Sequence, residues 1–95
     1  MEVSDPSGAG TRVVLYHADG CHLCEAARRV VHAARDELGF ALEEVDIGGD
    51  LELERRYREL LPVVEIDGKR AFTYFVQPDA LRRKVAQARA STATL

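Results

Sequence analysis

Apolar residues in the first half of the chain change from a short continuous run to a helical repeat. Residues 13–16 are aliphatic or aromatic and are followed by Asp19-Gly20, which predicts a fully buried strand over residues 11–16. The next apolar residues recur at steps of three and four, so an amphipathic helix is expected up to Gly39. The predicted apolar face of this helix comprises Leu23, Ala26, Ala27, Val30, Val31, Ala34 and Leu38.

The middle of the chain predicts a second strand and a short second helix. Residues 40–47 carry the apolar positions of a strand, and Gly48-Gly49 ends it. Asp50 is suited to cap the helix that follows. Pro62 ends that helix, because the residue before a proline avoids the helical conformation.

A β-hairpin and a final helix complete the predicted order. Residues 63–66 and 69–73 are two short strands on either side of Asp67-Gly68, a pair typical of two-residue hairpin turns. Pro78 stands at the favoured first position of a last helix. The apolar face of this last helix contains Leu81, Val85 and Ala88.

The order βαβαββα predicts one small α/β domain built on a four-stranded mixed sheet with helices on both faces. The first βαβ unit requires parallel strands and a right-handed crossover, and the hairpin adds antiparallel strands. The folded domain is expected over residues 12–90, after a flexible leader at 1–11 and before a frayed tail at 91–95. The leader is acidic, with no apolar segment of the secretory type, which favours a cytoplasmic location.

Composition and charge exclude several classes of protein. The 95 residues are 46% hydrophobic and 31% charged, too apolar for a disordered chain. No apolar run approaches the about 20 residues of a membrane-spanning helix, and a formal net charge of -3 argues against general nucleic-acid binding. Two cysteines are too few for a multi-disulfide scaffold or a four-cysteine zinc site. Most basic residues are arginine, a bias that suggests a bacterial protein.

The candidate chemistry lies between the first strand and the first helix, where Cys21 and Cys24 are separated by two residues. Residues three apart on a helix have Cβ atoms about 5–6 Å apart, so a disulfide can form and open with small adjustments. Cys21 should lie at the helix N-terminus, which stabilises a thiolate, the nucleophile of disulfide exchange. Cys24 should lie one turn further on the buried side, which suits it to resolve a mixed disulfide. We expect both cysteines to be catalytic.

Other uses of the two cysteines stay open from the residues alone. They could be structural thiols, half of a zinc site completed by His17, His22, His32 or a second chain, or ligands of an iron–sulfur cluster shared between chains. A structural disulfide is disfavoured, because a four-residue loop restricts the unfolded chain very little. His32 falls on the predicted polar face of the helix and is poorly aimed as a ligand. We expect no bound metal.

Two further features have competing interpretations. His22 is a candidate for redox tuning, because its protonated ring would add positive charge beside the thiolate, but simple solvent exposure explains it equally well. Phe72, Tyr74 and Phe75 form an aromatic group for which core packing is a better explanation than partner binding.

The combined pattern resembles the glutaredoxin-like branch of the thioredoxin superfamily, most closely its short bacterial members. The resemblance covers roughly residues 12–90 and rests on Val13-Val14-Leu15-Tyr16, Gly20-Cys21-His22-Leu23-Cys24, Leu61-Pro62-Val63-Val64 and Asp67-Gly68-Lys69. It implies a thioredoxin-like fold and thiol–disulfide exchange. It also implies that Pro62 is cis and faces the cysteines and that the backbone of Leu61 pairs with a bound thiol peptide. The residues alone give no reason to expect a cis bond, since most X–Pro bonds are trans.

The chain departs from the typical glutaredoxin pattern at positions that hold glutathione in that family. His22-Leu23 replace Pro-Tyr between the cysteines, and Ala18 replaces a lysine. Leu60-Leu61 replace Thr-Val before the proline, and residues 72–75 occupy the region of a missing Gly-Gly pair. The resemblance therefore supports the exchange chemistry more strongly than a glutathione site.

These observations predict a glutaredoxin-like thiol–disulfide oxidoreductase with Cys21 and Cys24 as catalytic residues, His22 as a tuning residue, and Leu61 and Pro62 as substrate-binding residues. The expected partners are a disulfide-containing protein or small thiol and a cellular reductant, either glutathione or a thioredoxin-reductase-type enzyme. No tightly bound cofactor and no nucleic-acid or membrane partner are expected. The alternative is a non-catalytic binding or redox-sensing module that presents the groove beside Leu61 to a partner.

Overall fold

The computed structural model describes residues 11–93 of the chain. Its strands are β1 (Arg12–His17), β2 (Ala41–Asp46), β3 (Val63–Ile66) and β4 (Lys69–Thr73), and its α-helices are α1 (His22–Leu38), α2 (Leu51–Tyr57) and α3 (Pro78–Ala93). Residues 1–10 of the expected leader and residues 94–95 of the expected tail lie outside the described residues. Thr11 is buried and its carbonyl accepts the N–H of Ala41 at 3.1 Å, so it belongs to the fold rather than to the leader.

The strand β1 lies inside the sheet and connects its two halves. The strand order is β2-β1-β3-β4, with β1 parallel to β2 and antiparallel to β3, and with β3 antiparallel to β4. The parallel pair is joined through α1, as the predicted βαβ unit requires, and both hairpin strands begin and end at the predicted residues. The predicted α/β architecture is therefore confirmed.

The main core fills the face of the sheet that α1 and α3 cover. Val13 and Leu15 of β1 are fully buried there together with Val64 of β3, because alternate residues of a strand point to the same face. The helices and their flanking segments add Ala27, Val31, Ala34, Phe40, Val76, Leu81 and Val85.

The opposite face carries a smaller core beneath α2. Ile47, Tyr57 and Val63 are buried in it, and Tyr16 packs against them. Helices therefore lie on both faces, as predicted. However, α2 has only seven residues and leaves Val14 and Tyr16 half-buried. The expectation that β1 is fully buried is wrong for this reason.

The helix α1 ends at the predicted signal, but its buried face is narrower than predicted. Gly39 has a left-handed backbone with a φ of 80°, and its N–H donates to the carbonyl of Arg35 at 2.8 Å, which ends the helix. Leu23 is 39% exposed and Ala26 is exposed, although both were predicted on the apolar face. Cys24 is buried, as predicted. The buried residues of the helix are Cys24, Ala27, Val31 and Ala34.

The other two helices differ from prediction at their ends. Asp50 caps α2 as predicted, since its Oδ1 accepts the N–H of Leu53 at 3.0 Å. The α-helix then gives way to one 3₁₀ turn, Arg58–Leu60, ahead of Pro62. The last helix runs to Ala93, beyond the expected end of the folded domain at residue 90. No helix within residues 11–93 is long and apolar enough to cross a membrane.

The aromatic residues that follow β4 leave the core, contrary to expectation. Phe72 packs against the main core, but Tyr74 is 42% exposed and Phe75 is 66% exposed. Tyr74 has a φ of 68°, which turns the chain away from the sheet directly after Thr73.

Glu44 on β2 connects the strand to α1. Its Oε1 accepts a hydrogen bond from Arg28 Nε at 2.7 Å, and its Oε2 lies 2.8 Å from His32 Nε2. Partial burial opposes ionisation of this carboxyl, but the hydrogen bonds from Arg28 and His32 outweigh burial and lower the pKa of Glu44.

Replacing Glu44 with Gln should lower the free energy of unfolding by about 0.5–1 kcal/mol at about pH 7, because it removes the negative charge that pairs with Arg28 and contacts His32. Since the folded-state pKa is lowered, this stabilisation is present above the unfolded-state pKa and is lost as the pH falls through the folded-state value. Denaturant unfolding at about pH 7 and about pH 3 should therefore show the difference between Glu44→Gln and wild type shrinking in acid.

The matched control is Glu43→Gln, because Glu43 is the adjacent carboxylate and pairs with Arg12 at a more exposed position. An equal loss of stability in the two variants near neutral pH would contradict the prediction.

Candidate active site

Three strand ends meet at one end of the sheet and bring the predicted site residues together. Tyr16 of β1 pairs with Val63 of β3, and Val63 pairs with Thr73 of β4. Because β1 and β3 are antiparallel, the loop that leaves β1 toward the cysteines lies at the end of the sheet where β3 begins. The segment Leu61-Pro62 immediately precedes β3 and therefore lies at the same end.

The two cysteines lie at the start of α1 and are joined by a disulfide. Cys21 is the N-cap residue with an extended backbone, and its Cα lies 5.1 Å from that of Cys24. The N–H of Cys24 donates to Cys21 Sγ at 3.1 Å, and the N–H of Glu25 donates to the carbonyl of Cys21 at 3.1 Å. Cys21 is half-buried, whereas Cys24 is only 2% exposed. The positions of the two residues are as predicted.

The start of the helix favours negative charge on Cys21. The first N–H groups of a helix have no partner within the helix, and the positive end of its dipole lies beside them. One of these groups, the N–H of Cys24, already points at Cys21 Sγ. When the disulfide is open, this arrangement favours a thiolate on Cys21, while burial of Cys24 favours the neutral thiol.

The three histidines occupy separate positions around this region. His22 is the exposed first residue of α1, and His17 is the half-buried last residue of β1, whose carbonyl accepts the N–H of Ile47 at 2.9 Å. His32 pairs with Glu44. Within residues 11–93, no group of three or more His, Cys, Asp or Glu side chains is arranged to hold a metal ion.

Leu61 and Pro62 form the second part of the site. Leu61 has an extended backbone with φ of −61° and ψ of 145°, and the peptide bond between it and Pro62 is cis, as the resemblance implied. Pro62 is fully buried. Leu61 is half-buried and packs on the same small core as Ala18, three residues before Cys21. Both segments of the site thus rest on the core beneath α2.

A polar cluster on the α2 face near this end of the sheet was not predicted. Tyr57 donates its hydroxyl hydrogen to Glu65 Oε2 at 2.9 Å, Tyr16 donates to Glu65 Oε1 at 3.5 Å, and the two rings stack with centroids 4.2 Å apart. Burial, the hydrogen bond with Tyr57 and the charge of Glu65 raise the pKa of Tyr16 to about 12. One sequence feature could have predicted this cluster. Glu65 alternates with Val64 and Ile66 along the strand, which points Glu65 away from the main core.

The sheet order, the disulfide at the start of α1 and the proline before β3 define a thioredoxin-fold protein with a Cys-x-x-Cys disulfide. Chloroplastic thioredoxin z is similar, with a TM-score of 0.73, 21% sequence identity and coverage of 88% of this chain and 82% of that one. A mutant thioredoxin from Halobacterium salinarum has a TM-score of 0.67 and 19% identity, covering 87% of this chain and 78% of its own. At these identities the likeness shows the fold alone.

Within this class, the chain belongs to the family of the Glutaredoxin-like domain (DUF836), whose model matches residues 12–86. A structural-genomics target protein from X. campestris is 30% identical, with a TM-score of 0.68 and coverage of 80% of this chain and 97% of that one. A protein from Nitrosomonas europaea is 26% identical, with a TM-score of 0.67 and coverage of 90% of this chain and 99% of that one. A search of curated proteins found no match. The family resemblance inferred from the sequence is confirmed.

Tyr16 should ionise near pH 12 rather than near pH 10 in a titration followed by tyrosinate absorbance. Because its folded-state pKa is raised, Tyr16 contributes stability that is present below about pH 10 and is lost between about pH 10 and 12. Tyr16→Phe should therefore remove the absorbance change near pH 12 and leave the absorbance change of the other tyrosines in place.

The control for this titration is Tyr74→Phe, which alters a tyrosine that contacts neither Tyr57 nor Glu65 through its hydroxyl. The raised pKa does not belong to Tyr16 if Tyr16→Phe removes only an absorbance change near pH 10. The same holds if Tyr74→Phe removes the absorbance change near pH 12.

Proposed function

We propose that this protein is a thiol–disulfide oxidoreductase in which Cys21 is the nucleophile and Cys24 is the resolving thiol. The observation that carries the proposal is the disulfide between the N-cap of α1 and a buried residue in its first turn. Such a pair combines an accessible sulfur that is stabilised as a thiolate with a second sulfur close enough to displace what the first has bound.

The reaction consumes the reduced dithiol and one substrate disulfide. The Cys21 thiolate attacks one sulfur of the substrate, so the substrate S–S bond breaks, a mixed disulfide forms on Cys21, and the departing thiolate takes up a proton. Cys24 then loses its proton and attacks Cys21 Sγ, which releases the second substrate thiol. Two electrons have passed to the substrate, and the protein carries the Cys21–Cys24 disulfide until a thiol reductant reopens it.

Leu61 and Pro62 are the proposed substrate-binding residues. The extended backbone of Leu61 suits pairing of its N–H and C=O with an extended peptide, the geometry of strand addition. The buried ring of Pro62 anchors this segment at the start of β3. His22 is the proposed tuning residue, because a protonated ring at the first position of α1 would add positive charge beside the thiolate.

The proposed partners are a disulfide-containing protein or small thiol compound and a reductant in the cytoplasm, where thiols are kept reduced. No nucleic acid, membrane or tightly bound cofactor takes part in the proposed reaction. Because Leu60-Leu61 and residues 72–75 differ from the glutaredoxin pattern, we favour a thioredoxin-reductase-type reductant over glutathione. A glutathione-coupled assay with hydroxyethyl disulfide tests this preference, since activity at ordinary glutaredoxin rates would reverse it.

A non-catalytic binding or redox-sensing module is the second candidate, because the rings of Tyr74 and Phe75 are exposed beyond the end of β4. In that case the partner would bind independently of the two thiols. A double variant, Cys21→Ser with Cys24→Ser, separates the two functions. Unchanged partner binding would favour the module, and loss of binding would favour the dithiol reaction.

Cys21→Ser should reduce turnover of a protein disulfide such as that of insulin to the uncatalysed rate, because the attacking thiolate is removed. Cys24→Ser should retain the first attack and accumulate a mixed disulfide on Cys21, visible as an increase in mass.

In the reduced wild-type protein, iodoacetamide near neutral pH should label Cys21 before Cys24, as peptide mapping would show.

The two single variants control for each other, because each removes one thiol from the same turn of the same helix. Faster labelling of Cys24, or turnover by Cys21→Ser at the wild-type rate, would show that the assigned roles are wrong.

A further inference from the structure

Tyr74 occupies a strained turn directly after β4. Its φ of 68° lies in the left-handed region, which bulky side chains rarely adopt. The N–H of Phe75 donates to the carbonyl of Thr73 at 2.7 Å, and this bond between residues two apart closes a γ-turn of the strained, positive-φ kind. Backbone strain of this type persists only where surrounding contacts hold the residue in place.

The contacts that hold Tyr74 both go to the segment before β3. Its backbone N–H donates to the carbonyl of Pro62 at 3.0 Å, and its hydroxyl donates to the carbonyl of Glu59 at 2.8 Å. The two bonds therefore reach both ends of residues 59–62, the segment that contains Leu61.

The carbonyl of Glu59 has no hydrogen-bond donor available three residues later in its own helix. Glu59 lies in the 3₁₀ turn Arg58–Leu60, where a carbonyl bonds to the N–H three residues later. That residue is Pro62, which has no N–H. The proline that ends the helix thus leaves this carbonyl without its helical partner, and the hydroxyl of Tyr74, fifteen residues later in the chain, replaces it.

We infer that Tyr74 is a positioning residue for the proposed exchange reaction. It fixes the backbone of Leu61 in the conformation that receives the substrate, without contacting the reacting sulfurs. The inference rests on the proposed function, because it assigns the role of Tyr74 through substrate binding at Leu61. It also accounts for a tyrosine at a turn where glycine would fit without strain.

The test is Tyr74→Phe, which removes the hydroxyl alone. Loss of one hydrogen bond that holds the binding segment should raise KM for a disulfide-bonded peptide about three- to tenfold, with kcat unchanged. The rate of iodoacetamide labelling at Cys21 should not change. Amide hydrogen exchange across residues 59–63 should become faster. Tyr74→Gly should raise KM as well, because it removes the same hydroxyl while relieving the strained φ.

The matched control is Tyr57→Phe, which removes a tyrosine hydroxyl that donates at a similar distance, 2.9 Å, to Glu65. It should leave KM near the wild-type value. The inference is overturned if Tyr74→Phe leaves KM unchanged, if Tyr57→Phe raises it equally, or if Tyr74→Phe alters the labelling of Cys21.

These outcomes are distinct from failure of the proposed function. If the wild-type protein reduced no disulfide, the proposed function would fall, and the substrate-binding role of Tyr74 with it. The exchange measurement would then still show whether the hydroxyl of Tyr74 holds residues 59–62. If the wild type is active and only the Tyr74 variants are unaffected, the proposed function stands and the inference alone fails.

Discussion

The strand β1 is hydrogen-bonded to β2 along one side and to β3 along the other, and its register with both strands fixes where the cysteines lie. Val13 and Leu15 fill the main core, so a slip of one residue would turn both side chains toward the thinner α2 face. With that register set, the chain leaves β1 at the end of the sheet where β3 begins. Burial of two aliphatic side chains therefore fixes the face and register of β1, and its antiparallel pairing with β3 places the cysteines and Leu61-Pro62 at one end of the sheet.

The sequence was sufficient to predict the structure wherever the residues of one short segment determine its conformation. Asp67 and Gly68 both have positive φ, 51° and 83°, as a two-residue hairpin turn of type I′ requires. Asp67 also accepts the N–H of Arg12 through Oδ1 at 2.9 Å and donates its own N–H to the carbonyl of Arg12 at 2.8 Å. Asp67 thus also holds the turn against β1. The turn itself depends on Asp67-Gly68 alone, which explains why both hairpin strands could be predicted to the residue. The placement of Cys21 at a helix start was predictable for a similar reason.

Sequence patterns failed where contacts between distant segments decide the outcome. Leu23 and Ala26 fit the helical repeat of α1, but docking of the helix against the sheet leaves both side chains exposed. Aromatic character suggested that Tyr74 and Phe75 are buried, but the hydroxyl of Tyr74 bonds to a carbonyl fifteen residues earlier in the chain. Glu65 likewise acquires its partners from β1 and α2.

The chemistry of the candidate site and its choice of partner have separate origins in this fold. The sulfur chemistry depends on the start of α1, where the N–H of Cys24 and the helix dipole act on Cys21. In the proposed function, the surface offered to a substrate lies beside Pro62, whose missing N–H leaves the Glu59 carbonyl to the hydroxyl of Tyr74. The segment before β3 and the turn after β4 are therefore linked. We infer from this link that a change in residues 72–75 would alter the backbone beside Leu61 as well as the exposed surface. In the proposed function, the residues that stand in place of a Gly-Gly pair therefore shape the adjoining segment, while Cys21 and Cys24 keep their positions at the start of α1.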